Sequence, residues 1–235
     1  MAVWITRIDH MPVEWLNSHA LGKYPLVIIP TLKGKTYENY PDGTQLTPQA
    51  LRDYVALLQS HGYAVCGSQW GWGDDPVGEA EAGLGALIAA EENGQRGFDG
   101  WVFNGEKRYE GGDKSRLYTE RFRLTRPHFP FGWTPEQRLS LNHDYLQLKG
   151  VCYMPQCYPL EAGGDLDYVY DWAENYGYEK QNVNCLVQAY PTNGIRPDAD
   201  ADFRDVARRR GYGQLTLYTG NQSLDAPDFW RDLVV

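Results

Sequence analysis

Short apolar runs alternate along this chain with longer segments in which apolar residues recur every three or four positions. A short apolar run bounded by glycine or proline is typical of a buried strand, whereas the longer period is typical of a helix with one buried face. Eight strands are predicted, at residues 4–8, 26–29, 64–66, 101–103, 129–133, 151–154, 183–187 and 214–218. Helices are predicted between them, beginning near Thr47, Pro76, Lys114, Asp167, Asp198 and Asp228.

The regular alternation of strands and helices predicts parallel strand pairing, because a parallel neighbour needs a crossover connection. Eight such units in 235 residues fit an α/β fold of the (β/α)8 TIM-barrel type. A doubly wound α/β sheet is the alternative, but the glycine-rich turn typical of that fold is missing after Ile8. No linker or shift in composition divides the chain, so residues 1–235 are expected to form one barrel domain.

The net charge and the cysteine and histidine spacing disfavour several classes of function. The formal net charge of −9 disfavours partners held through phosphate groups, so neither nucleic acid nor an anionic membrane surface is expected as a partner. The 4 cysteines form no CxxC pair and the 5 histidines show no metal-site spacing, so no metal or cofactor is predicted. The chain shows neither a signal peptide nor an apolar run of the roughly 18 residues that span a membrane, so a soluble protein, cytoplasmic when made, is expected.

Aromatic and polar residues collect where the predicted strands end. The carboxyl ends of barrel strands meet at one mouth, so Asp9 and Glu106, which follow the first and fourth strands, are predicted to face each other there. Glycoside cleavage requires such a pair, one protonated acid and a second carboxylate flanking the bond. Aromatic faces suit sugar rings, although most aromatics serve as core. The predicted substrate-binding residues at the other strand ends are Asn104, Gln69, Trp70, Trp133, Gln156, Tyr158, Gln188, Tyr190 and Asn221.

Two neighbouring predicted strands end in the same pattern, Gln-x-Tyr-Pro. It occurs at Gln156 with Tyr158 and again at Gln188 with Tyr190. Residues two apart on a strand share a face, so each glutamine and its tyrosine point the same way. Barrel packing and a ligand-facing role are both compatible with this pattern.

The ends of the first and fourth strands also resemble a known family. Ile8-Asp9-His10 and Asn104-Gly105-Glu106 look like the strand ends of muramidase-type glycoside hydrolases (family twenty-five) and their phage-encoded relatives. The sequence Met154-Pro155-Gln156-Cys157-Tyr158 is similar to a segment of barrels encoded by actinobacterial phages, including minor tail proteins. The resemblance implies that Glu106 is a proton donor supported by Asp9. It further implies a cell-wall glycan as substrate and other virion or tail subunits as candidate partners.

Asn104 departs from that family, which has an aspartate at this position. An amide supplies no negative charge and cannot act as a base. Two hypotheses therefore stay open. The first is a hydrolase acting on a glycan such as peptidoglycan, and the second is an inactive barrel that serves as a glycan-binding or structural module of a phage tail.

Overall fold

The computed structural model describes residues 2–5, 26–39, 44–109, 113–135, 151–163, 165–188, 192–195 and 197–218. Ten strands lie within these ranges. They are β1 Ala2–Trp4, β2 Leu26–Lys33, β3 Thr36–Tyr37, β4 Ala64–Trp70, β5 Gly100–Asn104, β6 Phe131–Thr134, β7 Cys152–Tyr153, β8 Gln156–Cys157, β9 Cys185–Gln188 and β10 Leu215–Tyr218.

The parallel strands close into a barrel. The hydrogen-bonded order is β7-β6-β5-β4-β2-β1-β10-β9-β8. Only Met154 and Pro155 separate β7 from β8, so these two pieces act as one strand that pairs with β6 on one side and β9 on the other. A parallel bridge between Tyr153 and Val183 strengthens the second contact. Eight parallel strands thus form a TIM-type barrel, as the strand–helix alternation predicts.

Helices α1 Pro48–Ser60, α2 Pro76–Glu91 and α3 Lys114–Thr125 cover one side of the barrel, followed by α4 Pro159–Ala162, α5 Leu166–Asn175 and α6 Asp205–Arg210. The first two begin where the sequence predicts, and the structure shows a side-chain cap and a proline in the first turn of each. Thr47 accepts from the Ala50 amide, and Asp75 accepts from the Gly78 amide. A π-helical segment, Ala199–Arg204, leads into α6. No helix among the described residues is long and apolar enough to cross a membrane.

Apolar side chains are buried on both faces of the barrel wall. Trp4, Ile28, Val102, Met154 and Leu186 fill the inside of the barrel. The residues next to them along the strands, such as Val27, Trp101, Phe103 and Val187, pack outward against the helices. This alternation decides which strand-end side chains reach the mouth, because successive residues of a strand face opposite sides.

Several predicted segments differ from the structure. The strands predicted at 26–29 and 64–66 run on to Lys33 and Trp70. The loop after the second strand contains a short antiparallel hairpin, in which Leu32 and Lys33 of β2 pair with Tyr37 and Thr36 of β3. The predicted strand at 151–154 is interrupted and continues to Cys157, because Pro155 lacks the amide proton that a regular ladder requires. The extension of the first strand to Ile8 and the helix at Asp228 lie outside the described residues.

Candidate functional site

Glu106 lies at the carboxyl end of the barrel, two residues after the last residue of β5. Its Oε1 atom accepts a hydrogen bond from Asn104 Nδ2 at 2.9 Å and another from Gln156 Nε2 at 3.1 Å. Gln156 belongs to β8, so amides from two different strands hold one carboxylate oxygen. Among the described residues, none donates to the other oxygen, Oε2. Glu106 itself is half-buried.

The alternation along β5 explains how these groups meet. Val102 faces the inside of the barrel, so Asn104 and Glu106, at steps of two, point the same way. Gly105 lies between them and faces outward, where a Cβ atom would collide with the Trp133 ring. A glycine is therefore required for Glu106 to turn into the mouth.

Four neighbouring strands present one row of side chains next to Glu106. Lys33 is in register with Trp70, Trp70 with Asn104, and Asn104 with Thr134. Register partners in parallel strands share a face, so all four side chains lie on the mouth side. Trp70 is 42% exposed, whereas Thr134 is fully buried and its hydroxyl has no hydrogen-bond partner among the described residues.

Aromatic rings lie on the opposite side of the barrel from β4 and β5. Tyr158 stacks on Tyr218 with ring centroids 5.5 Å apart, and Tyr218 meets Trp4 edge to face at 6.1 Å. Gln188 is fully buried: its Oε1 accepts from the Leu160 amide at 3.3 Å and its Nε2 donates to Thr192 at 2.8 Å. Tyr158 is thus placed at the mouth, while Gln188 ties two strand-end loops together.

Two of the predicted mouth residues lie outside the barrel wall. Gln69 is fully buried, and its Nε2 donates to the carbonyls of Gly34 at 2.7 Å and Glu79 at 2.8 Å. Trp133 is also fully buried, among the rings of Phe103 and Tyr109. The prediction that Gln69 and Trp133 face a ligand was wrong, because each occupies an outward-facing position of its strand.

Three other predicted residues, Asp9, Tyr190 and Asn221, lie outside the described residues. Among the residues with a described position, no three His, Cys, Asp or Glu side chains cluster closely enough to hold a metal ion.

Glu38 is a mouth residue that the sequence analysis did not select. It follows β3, and since Leu32 and Tyr37 pair on the outward face, Glu38 lies on the same face as Lys33. Burial raises the pKa of Glu38, an effect that the Lys33 charge and the Asn39 amide partly offset. Recognising the hairpin at Gly34 would have placed this carboxylate.

A buried carboxylate on the outer face supports the loop after β4. Glu79 of α2 accepts from the backbone amides of Trp72 at 3.0 Å and Gly73 at 3.1 Å, and from the Tyr109 hydroxyl at 2.6 Å. Burial raises the pKa of Glu79, against the opposing effect of these donors. The carboxylate fixes the loop that carries Trp72 next to the mouth.

No family model matches this chain, and no curated protein sequence matches it. Solved structures do share its fold. A GH18 chitinase from Pseudoalteromonas aurantia is 13% identical with a TM-score of 0.67, covering 99% of each chain. The xylanase and α-amylase inhibitor protein from Scadoxus multiflorus is 15% identical with a TM-score of 0.68, covering 99% of this chain and 97% of the other. A 3-keto-D-glucoside 4-epimerase from E. coli is 13% identical with a TM-score of 0.54, covering 99% and 98%.

Identities of 13–15% over whole chains establish the TIM-barrel fold. They do not establish an activity, because one barrel fold carries many unrelated functions. Function therefore has to be argued from the residues at the mouth.

Proposed function

We propose that this chain is a glycan-directed, glycoside hydrolase-like barrel of one domain, with Glu106 as general acid and Asp9 as its partner carboxylate. The observation that carries the proposal is the setting of Glu106. Two amides bind its Oε1 atom, its Oε2 atom accepts from no described residue, and the exposed Trp70 ring lies on the neighbouring strand.

The chemistry follows from the roles of the two acids. Glu106 would protonate the oxygen of the leaving sugar as its bond to the anomeric carbon breaks, and Asp9 would stabilise the positive charge on the ring or form a bond to that carbon. A water molecule would then add its hydroxyl at the anomeric carbon and return its proton to Glu106. Asn104 and Gln156 orient Glu106 and hold it at the mouth. The resemblance of the strand ends to muramidase-type hydrolases supports peptidoglycan as the substrate. The shared fold of a protein named as a chitinase fits a polysaccharide ligand.

The test is turnover of purified peptidoglycan by Glu106→Gln, measured as new reducing ends. A loss of at least about 100-fold is expected, because a positioned general acid contributes that much or more. Asp9→Asn is expected to lose activity as well. Glu81→Gln is the matched control, since this exposed glutamate of α2 pairs with Arg121 away from the mouth. Equal turnover by Glu106→Gln and the parent chain contradicts the mechanism.

A second candidate is a barrel that binds glycan without cleaving it, as a module of a phage tail. It is favoured by Asn104, which donates an amide hydrogen to Glu106 where a second acid would supply charge. The shared fold of a protein named as an inhibitor fits a barrel that works by binding. Binding of peptidoglycan by the parent chain with no release of reducing ends would select this candidate.

A further inference from the structure

Two indole rings and two cations form a continuous surface at the rim of the mouth, here called the indole platform. Trp70 and Trp72 lie nearly parallel, 12° apart, with ring centroids separated by 6.4 Å. Lys33 Nζ lies 5.2 Å from the Trp70 centroid and 5.5 Å from that of Trp72. Arg108 Cζ lies 4.3 Å from the Trp72 centroid. The four side chains come from β2, β4, the loop after β4 and the turn after β5.

Backbone hydrogen bonds fix the position of the indole platform. The Trp72 amide is bound by the buried Glu79 carboxylate, and the Gly34 amide donates to the Trp70 carbonyl at 2.7 Å. Gly34 has a φ of +59°, and a Cβ atom there would collide with the Trp72 ring. Any residue but glycine would thus be strained and would displace the indole. A surface fixed in this way needs little ordering when it binds a ligand.

The two cations of the platform have no ion-pair partner in the described part of the chain, unlike their neighbours. Lys35, next along the chain, forms a 3.1 Å ion pair with Asp75. No described carboxylate forms such a pair with Lys33 or Arg108. Glu38 faces Lys33 and acts on it electrostatically, but without forming a salt bridge. Lys33 and Arg108 thus bring two positive charges against the indole rings, and no described carboxylate holds either of them in an ion pair.

The rings and cations of the indole platform together indicate the chemistry of its ligand. An exposed indole face stacks against the apolar face of a sugar ring, and the cations beside it pair with an anionic group on that sugar. We infer that the indole platform binds a sugar residue carrying an acidic substituent. The inference rests on the proposed glycan-directed function and names the class of glycan.

The position of the platform gives this binding a consequence at Glu106. Trp70 is in register with Asn104, the residue that donates to Glu106. Neighbouring strands are roughly 5 Å apart, so an acidic sugar on Trp70 would lie about one sugar unit from the Glu106 carboxylate. The platform would then determine which bond of a glycan meets the acid.

The test compares two tetrasaccharides that differ in their acidic groups. One is a tetrasaccharide of alternating N-acetylglucosamine and N-acetylmuramic acid with free lactyl carboxylates, and the other is chitotetraose, which lacks them. Affinities are measured by titration calorimetry at low salt on the Glu106→Gln protein, so that neither ligand is consumed. The acidic ligand is expected to bind about tenfold more tightly, as charge-assisted hydrogen bonds suggest.

Variants separate the two parts of the platform. Lys33→Gln and Arg108→Gln are each expected to lower the affinity for the acidic ligand about fivefold and to leave the affinity for chitotetraose unchanged. Trp70→Ala is expected to lower the affinity for both ligands. Lys35→Gln is the matched control and is expected to change neither, because this lysine is already paired with Asp75.

Equal affinity for the two ligands, no binding of either, or equal losses for both in Lys33→Gln would each overturn the inference. None of these measurements depends on turnover. Failure of hydrolysis would therefore remove the proposed catalytic role of Glu106 and leave a preference for the acidic glycan standing.

Discussion

Glu79 and Glu106 lie on opposite faces of the same part of the barrel wall, and their surroundings differ in kind. Glu79 is 2% exposed and receives donors on both of its oxygens, from two backbone amides and a tyrosine hydroxyl. Glu106 is half-buried and receives two side-chain amides on a single oxygen. Donors of the protein reach both oxygens of Glu79, whereas the described donors reach a single oxygen of Glu106.

This difference shows that polar groups on the outer face of the barrel wall stabilise the fold, whereas those at the mouth serve function. The outer network continues from Glu79 to Gln69, whose Oε1 accepts from the Tyr118 hydroxyl at 2.6 Å, and on to Trp101, whose Nε1 donates to the same hydroxyl at 3.0 Å. Each of these groups is satisfied within the protein. Among the described residues the mouth network ends at Glu106, and the buried Thr134 hydroxyl beside it has no partner there.

The largest expected effect is on stability, from Glu79→Ala. Removing this carboxylate leaves the Trp72 and Gly73 amides and the Tyr109 hydroxyl without acceptors, so a loss of about 3 kcal/mol in the free energy of unfolding is expected. Glu106→Ala is expected to cost less than about 1 kcal/mol, because its donors can turn to water. Urea denaturation followed by fluorescence measures both.

Glu81→Ala is the control for that comparison. It lies on the same helix, is exposed and pairs with Arg121 at 3.1 Å, so its removal should change stability by less than about 1 kcal/mol. Equal losses of stability for Glu79→Ala and Glu106→Ala would show that the two carboxylates contribute equally to the fold.

The glutamines of the two networks provide the next comparison. Gln69→Leu leaves two carbonyls and the Tyr118 hydroxyl without their partner in the buried outer network, and a loss of about 2 kcal/mol in stability is expected. Gln156→Leu removes one donor from Glu106 and is expected to change turnover or glycan affinity more than stability. If Gln69→Leu instead abolished glycan binding in a stably folded protein, its assignment to the outer network would be wrong.

The barrel could be predicted from the sequence because strand and helix patterns alternate along the chain. The shared face of Asn104 and Glu106 also follows from their spacing. The sequence did not show which face of the barrel wall Gln69 and Trp133 occupy. Strands that are buried on both faces are apolar throughout, so they show no alternation between inward and outward positions. In β5, Trp101, Val102 and Phe103 are all buried, so composition alone cannot show that only Val102 faces the barrel interior.

Glu38 was missed for a different reason. The hairpin that turns it toward Lys33 depends on Gly34 fitting beneath the Trp72 ring, a contact between residues far apart in the chain. Gln156 reaches Glu106 because β8 continues β7, which pairs with β6, and β6 pairs with β5. Both contacts are tertiary, and local periodicity carries no information about them.

A smaller effect is expected in the pH dependence of stability. Burial raises the pKa of Glu79 above its ordinary value of 4.5, so the folded chain holds this proton more tightly than the unfolded chain. The resulting stability is fully present below about pH 4.5 and is lost as the pH rises through the raised pKa. Unfolding measured against pH should therefore show a decline in this window that Glu79→Gln lacks and Glu81→Gln retains. An unchanged decline in Glu79→Gln would assign it to another group.

The smallest expected effect tests whether Glu38 belongs with the mouth rather than with the outer network. Glu38 faces Lys33, so its negative charge opposes an acidic ligand on the indole platform. Glu38→Gln is expected to raise affinity for the muramic-acid tetrasaccharide about twofold and leave chitotetraose unchanged, since a partly exposed charge contributes only a few tenths of a kcal/mol. Because burial raises the pKa of Glu38, lowering the pH through that pKa should strengthen the parent chain's binding of this acidic ligand in the same direction, as long as the ligand keeps its own charge. Calorimetry at two pH values on the parent and the variant measures this. A variant that retains the parent's full pH dependence would show that a different carboxylate controls the platform.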